Sequence, residues 1–242
     1  MTKKIRLGML TPSSNTALEP MTYAMVSSLP NVSAHFSRFS VTEISLRDQA
    51  LNQFDLNTIL SAARLLADAR VDVISWNGTS SGWLGFDQDK VLCKKITEAT
   101  GIPATTSVLA LNEILEKKKV KRFGLATPYL KDVQNRIIAN YRDNDLDCTI
   151  ERHLDLHVNF QFAQVEEQTI RNMVRALAKE NVQAISTFCT NLHAAQLAEE
   201  LEEETGIPLY DTISTVMWAS LRLAGVDTRA LKGWGSLFQE VD

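Results

Sequence analysis

This chain repeats itself. Lys4-Ile5-Arg6-Leu7-Gly8-Met9-Leu10-Thr11-Pro12 returns as Val120-Lys121-Arg122-Phe123-Gly124-Leu125-Ala126-Thr127-Pro128. Val71-Asp72-Val73-Ile74-Ser75-Trp76-Asn77-Gly78-Thr79-Ser80 returns as Val182-Gln183-Ala184-Ile185-Ser186-Thr187-Phe188-Cys189-Thr190-Asn191, and Thr100-Gly101-Ile102-Pro103 as Thr205-Gly206-Ile207-Pro208. The three echoes keep their order, and the spacing between partners drifts only as loop lengths would make it. Chance matches do not stay in register in this way. The pattern predicts two copies of one α/β unit facing each other across a cleft. Gly78 and Cys189 then occupy equivalent places, and only one of them can do acid chemistry.

Within each half, short apolar runs alternate with longer amphipathic stretches, the signature of βα units on a parallel sheet. Strands are predicted near 5–10, 32–39, 71–76 and 103–106, then near 121–126, 147–152, 182–188 and 208–210. Helices are predicted over 17–28, 55–70, 86–100 and 107–118, then over 130–143, 163–180, 192–205 and 213–224. In each Thr-Gly-Ile-Pro the glycine closes a helix and the proline opens the next strand at its edge. Lys117-Lys118-Lys119 marks the junction, giving an N-terminal lobe over 1–117 and a C-terminal lobe over 118–242. The tail 225–242 has no counterpart in the first copy and is expected to pack back across the lobes.

At 242 residues the chain is long enough to bury a proper core. A net charge of −4 argues against nucleic acid or a membrane surface as the main partner. No apolar run approaches the ~20 residues needed to cross a bilayer, and Met1-Thr2-Lys3-Lys4-Ile5-Arg6 leads into a strand with no signal-peptide pattern evident. Three cysteines at unrelated spacings, Cys93, Cys148 and Cys189, suit free thiols in a reducing cytoplasm. Neither Gly-x-Gly-x-x-Gly nor Gly-Lys-[Ser/Thr] follows a strand, and metal-ligand spacing is missing, so no cofactor and no metal are expected.

Ligands of doubly wound sheets sit at the carboxyl ends of the strands. Four segments fall there: 11–16, 77–82, 127–129 and 189–191, all rich in small hydroxyl or amide residues. Cys189 follows an apolar strand, and a helix predicted just beyond it would lower the thiol pKa; the alternative is a small residue packed at a strand end. Gly78 either leaves a gap opposite Cys189 or serves a turn that needs positive φ. Thr79, Ser80 and Ser81 can donate hydrogen bonds to a carboxylate or enediolate, or cap the next helix. Tyr129, at the equivalent of Ser13, should point its phenol into the cleft, as a functional group or as packing. Asn15 can hold a carboxylate or cap a helix; Thr190 and Asn191 follow Cys189 as its polar companions. Trp76, Trp83 and Phe86 form an apolar wall or ordinary core, and His193 lies close enough to Cys189 to be weighed as a proton-transfer partner. His153 and His157 lack a third ligand, and the charged runs at 117–122 and 199–204 read as solvated faces.

Pro12-Ser13-Ser14-Asn15-Thr16, Gly78-Thr79-Ser80, Ala126-Thr127-Pro128-Tyr129 and Cys189-Thr190-Asn191 together resemble the aspartate/glutamate racemase superfamily. The chain is most similar to its branch of maleate cis-trans isomerases and arylmalonate decarboxylases, over almost its whole length. The resemblance implies two pseudo-symmetric lobes, each a parallel sheet flanked by helices, with a cofactor-free site in the cleft. Racemases and isomerases of this group use two opposed cysteines, the first of which falls here at Gly78. The decarboxylase branch resembles this chain in having glycine there and one acidic cysteine opposite. By that resemblance Thr79, Ser80 and Tyr129 form a dioxyanion hole, while Asn15 and Asn159 look like the carboxylate-binding asparagines of the isomerases.

The expectation is a decarboxylase of a small dicarboxylate working through an enediolate, with Cys189 as proton donor. A maleate-type isomerase or racemase, and a non-catalytic carboxylate-binding protein, are the alternatives. The sequence leaves open whether the chain forms a homo-oligomer.

Overall fold

The repeat is visible in the strand order. The computed structural model describes residues 3–241. Its first half carries a parallel sheet of β1 (Ile5–Pro12), β2 (Val32–Phe39), β3 (Val73–Trp76) and β4 (Ala104–Thr106), ordered β2-β1-β3-β4. The second half carries β5 (Phe123–Thr127), β6 (Glu151–His153) and β7 (Ala184–Thr187), ordered β6-β5-β7 and again parallel. These take the places of β1, β2 and β3. The counterpart of β4 shrinks to one parallel bridge, Ile185 to Leu209.

Every residue of β3, β5 and β7 is buried. Parallel strands covered on both faces read as unbroken apolar or small-residue runs, which is why the echoes stood out in the sequence. The strand predicted over 147–152 is broken. Asp147 bridges to Arg122, but its carboxylate turns back on the Thr149 backbone N–H and hydroxyl at 3.0 and 2.7 Å, so regular pairing resumes only at Glu151.

Helices Leu18–Val26, Leu56–Asp68, Phe86–Thr100 and Ser107–Lys117 belong to the first half; Lys131–Arg142, Glu167–Ala178, Ala198–Thr205 and Thr212–Leu223 belong to the second, where Glu167–Ala178 lies against all three strands. Gly101 and Gly206 end their helices in the left-handed region, at φ 72° and 69°, where a side chain would be strained. Two predicted helices start late. The one expected from 163 begins at Glu167, because Asn159–Phe162 forms a separate turn of helix. The one expected from 192 begins at Ala198, after a 3-10 turn at Ala195–Leu197.

The halves are laced together. Helix Thr212–Leu223 packs against helix Ser107–Lys117 and β3 of the other half, where Ser75 and Ser220 share a buried 2.6 Å hydrogen bond. The tail ends under this helix: Trp218 Nε1 donates to the Val241 carbonyl at 2.9 Å, and Lys118 at the junction meets Glu240 at 3.1 Å. Beyond β2, residues 41–55 form a strap whose Gln53 side chain accepts from Thr42 and donates to the Glu43 and Ala50 carbonyls. The strap reaches the second half through Glu43 paired with Val158 and the Ile44 N–H donating to His157. Among the described residues no helix is long and apolar enough to cross a membrane.

Candidate active site

The carboxyl ends of β1, β3, β5 and β7 meet around a cavity of about 20 Å³, room for little more than a water molecule. Its polar wall is Gly78, Thr79, Ser80, Tyr129, Asn159, Cys189 and Thr190. Its apolar wall is Val41, Ile44, Phe54, Trp76 and Trp83. The structure thus brings together seven residues that the sequence singled out, from loops more than a hundred positions apart.

Cys189 is 2% exposed, and its sulfur accepts a long hydrogen bond from the Asn191 N–H at 3.4 Å. Burial pushes the thiol up to about 12; hydrogen bonding from Tyr129 and Asn191 lowers it only in part. This reverses the sequence expectation of a lowered pKa. No helix begins behind Cys189, since the chain turns irregularly until Ala195, so no helix dipole is there to favour a thiolate. The resting sulfur is a protonated thiol, able to give a proton and poorly suited to nucleophilic attack.

Tyr129 shares a 2.6 Å hydrogen bond with the Thr79 hydroxyl and neighbours Cys189. Burial holds its phenol well above the ordinary tyrosine range, so it stays a donor. Trp83 packs edge-on to this ring, with centroids 5.5 Å apart. The Ser80 hydroxyl has no protein partner among the described residues, whereas Ser81 turns away to Asp89 at 2.8 Å.

Asn15 and Asn191 do not line the cavity. Asn15 Nδ2 donates to the Thr190 carbonyl at 2.9 Å, and its Oδ1 accepts from the Ala17 and Leu18 N–H groups. Asn191 Oδ1 accepts from the Thr16 N–H at 2.9 Å while its Nδ2 donates to the Asn159 carbonyl at 2.6 Å. Both side chains fasten the β1 loop to the Cys189 loop, and Asn15 spends both amide hydrogens there, on the Thr190 carbonyl and hydroxyl. Asn159 lines the cavity, but its Nδ2 is engaged by Ser14 at 2.7 Å. Thr190 spends its hydroxyl on the Asn77 carbonyl at 3.0 Å.

Gly78 is not a positive-φ glycine. A Cβ there would collide with the Trp76 indole, and the space, not the backbone, excludes a side chain. Phe86 packs on Tyr141 instead of joining the wall. His193 is outside the lining, His153 pairs with Glu151 at 2.8 Å, and no group of three potential metal ligands occurs among the described residues.

Sequence reasoning missed the strap residues Val41, Ile44 and Phe54, which lie in a stretch with no counterpart among the three echoes. It also missed two buried carboxyls. Asp211 is pushed up to about 7 by burial; it accepts from Thr187 Oγ1 at 2.7 Å and caps helix Thr212–Leu223. Asp89 is pushed up to about 6 by burial and accepts from Ser81 and Thr106. An acidic residue within a buried helix face was the available signal for Asp89, and Asp211 followed by a run of small polar residues was that for the second.

Residues 7–238 match the family described as arylmalonate decarboxylase. An arylmalonate decarboxylase of Bordetella bronchiseptica is 31% identical over 188 residues, 76% of this chain and 78% of that protein. A maleate isomerase of Pseudomonas putida is 24% identical over 236 residues, 92% of each. Among solved structures, the maleate isomerase Iso from Pseudomonas putida S16 superposes with a TM-score of 0.90 at 22% identity, covering 98% of this chain and 99% of that one.

Proposed function

Because this chain belongs to the arylmalonate decarboxylase family, we propose that it is a cofactor-independent decarboxylase of a substituted malonate. The observation that carries this reading is a single buried, protonated thiol facing a glycine, with an indole instead of a second acid on the far side.

One substrate carboxylate lies against Thr79, Ser80 and Tyr129. The other faces Val41, Ile44, Phe54 and Trp76, where its charge is poorly solvated. The bond from the α-carbon to that carboxylate breaks, carbon dioxide leaves, and the electron pair passes into the retained carboxylate as an enediolate. Preformed donors stabilise the new charge, each typically worth ~3–4 kcal/mol when well placed. Cys189 then delivers its proton to the α-carbon and is reprotonated from solvent, so one proton is consumed per turnover. The cavity is smaller than any dicarboxylate, so part of its wall must move to admit substrate.

A maleate-type isomerase is the second reading, favoured by Asn159 at the cavity wall. It needs a nucleophile where Gly78 stands, and Asn159 would bind a carboxylate through the amide hydrogen that Ser14 does not take. Incubation with methylmalonate, phenylmalonate and maleate, followed by NMR, separates the readings. Carbon dioxide release with a monocarboxylate product is expected. Fumarate from maleate without decarboxylation overturns the first reading; ligand-induced thermal stabilisation with no product points to a silent binding protein.

A further inference from the structure

We propose that the Trp76 indole closes the substrate face opposite Cys189, filling the volume a second acid would occupy and capping the size of the α-substituent at a small alkyl group. The size limit rests on the decarboxylase reading; the assignment of the volume does not.

The repeat places Trp76 at the position of Thr187 in the other half. The two side chains do opposite things. Thr187 turns its hydroxyl back to Asp211 at 2.7 Å, and Cys189, two residues on, is left free to project into the cavity. Trp76 folds forward over Gly78. A Cβ added to Gly78 would overlap Cζ2 and Cε2 of the indole and lie 2.7 Å from Cη2, a separation that real Cβ atoms essentially never show. The indole cannot easily retreat: it is 1% exposed, with the Phe39 ring 5.0 Å and the Phe54 ring 6.4 Å away, centroid to centroid. Interiors packed to this density do not absorb extra atoms without displacing a neighbour.

Two consequences follow. The face away from Cys189 is lined by a ring that offers no transferable proton at working pH, so protonation there is blocked by packing as well as by the missing thiol. The same ring, buried and held against Phe39, narrows the space beside Gly78 for a substituent, which selects methyl- or ethylmalonate over an aryl malonate.

Gly78→Cys alone is expected to lower Tm by about 5–10 °C, the cost of overpacking, and to cost little further when added to Trp76→Leu. Additive losses would overturn the assignment of that volume to the indole. Trp76→Phe gives a milder background should the leucine variant unfold. For substituent size, kcat/KM on methylmalonate should exceed that on phenylmalonate by at least about tenfold in the wild type, and Trp76→Leu should narrow the ratio about tenfold, a change of about 1.4 kcal/mol. An unchanged ratio overturns the size limit. Thermal stabilisation by the same two malonates reads the discrimination without turnover. If the Gly78→Cys and Trp76→Leu losses are non-additive but no malonate is decarboxylated, the assignment of the volume stands and the decarboxylase reading falls, taking the size limit with it.

Discussion

Replacing Cys189 by serine separates the thiol's chemistry from its contribution to stability. The thiol of the folded protein sits at about 12, against an ordinary 9.0. A group raised in the folded state favours folding fully below its unfolded pKa, and that advantage is lost as pH rises from about 9 toward 12. At pH 10 the unfolded thiol is mostly ionised while the folded one keeps its proton, a difference of about 1.4 kcal/mol in favour of unfolding. At pH 8 the same difference is below about 0.1 kcal/mol. Serine does not titrate in this range. The wild type should therefore lose about 1.4 kcal/mol more than Cys189→Ser between pH 8 and pH 10, measured by urea unfolding. Cys93 and Cys148 are also raised by burial but are common to both proteins, so they cancel. Turnover in the variant should fall about 10²–10⁴-fold, the usual loss of a positioned acid, and the wild-type rate should show no alkaline loss from this thiol up to pH 10. Parallel unfolding curves would refute the raised pKa, and wild-type turnover by the serine variant would remove Cys189 from the chemistry.

Tyr129→Phe should lower kcat about 10²–10³-fold by deleting one donor, and it should raise the Cys189 pKa further, because the tyrosine hydrogen bond now lowers it; single-turnover rates with methylmalonate read the first effect and thiol alkylation against pH reads the second. Asp211→Asn should change the acid side. Since burial raises this carboxyl to about 7 from 3.8, the wild type loses stability as pH climbs between those values, and the variant should gain on it by up to about 4 kcal/mol in urea melts at pH 7.5 compared with pH 4. Asn15→Ala should cost about 2 kcal/mol in stability, from the lost helix-start and interlobe hydrogen bonds, and leave KM unchanged. A KM rise without a drop in Tm would return Asn15 to the substrate.

The parts of the fold that were legible are those whose side chains report a single environment. Buried parallel strands such as Val73–Trp76 and Ala184–Thr187 carry unbroken apolar or small residues, and the glycines at 101 and 206 mark where helices must stop. The short elements were not legible. Asn159–Phe162 and the strap 41–55 owe their shape to contacts with distant segments, the Thr42 carbonyl to the Asn159 N–H and the Ile44 N–H to His157, and no local periodicity records those bonds. For the site, Gly78, Thr79, Ser80, Tyr129 and Cys189 were marked by the repeat and reach one cavity. Asn15 and Asn191 were marked by the same chemistry, a carboxamide beside a strand end, yet fasten the lobes instead. An amide that grips backbone and one that grips a ligand look alike until their partners are known.

The two halves keep the same strand order but diverge where they face each other, and the divergence follows one physical rule. A buried polar group at the cleft must be satisfied, and each half satisfies it differently. In the second half Asp211 occupies the place of Thr106 and takes Thr187, leaving Cys189 room to project. In the first half Thr106 itself is the cap, so the carboxylate comes from the preceding helix, Phe86–Thr100, as Asp89, which also ties down Ser81 and so holds the Thr79–Ser80 turn in place. Freed of a polar partner, the position equivalent to Thr187 carries the indole of Trp76, which then forbids any side chain at residue 78. The missing acid and the bulky ring are thus one structural choice. Restoring a two-acid site by Gly78→Cys alone should fail for want of space, while pairing it with a smaller residue at 76 should let a second thiol into the cavity; exchange of the α-hydrogen of propionate in deuterium oxide, read by NMR and expected from the double variant but not from Gly78→Cys alone, decides the point.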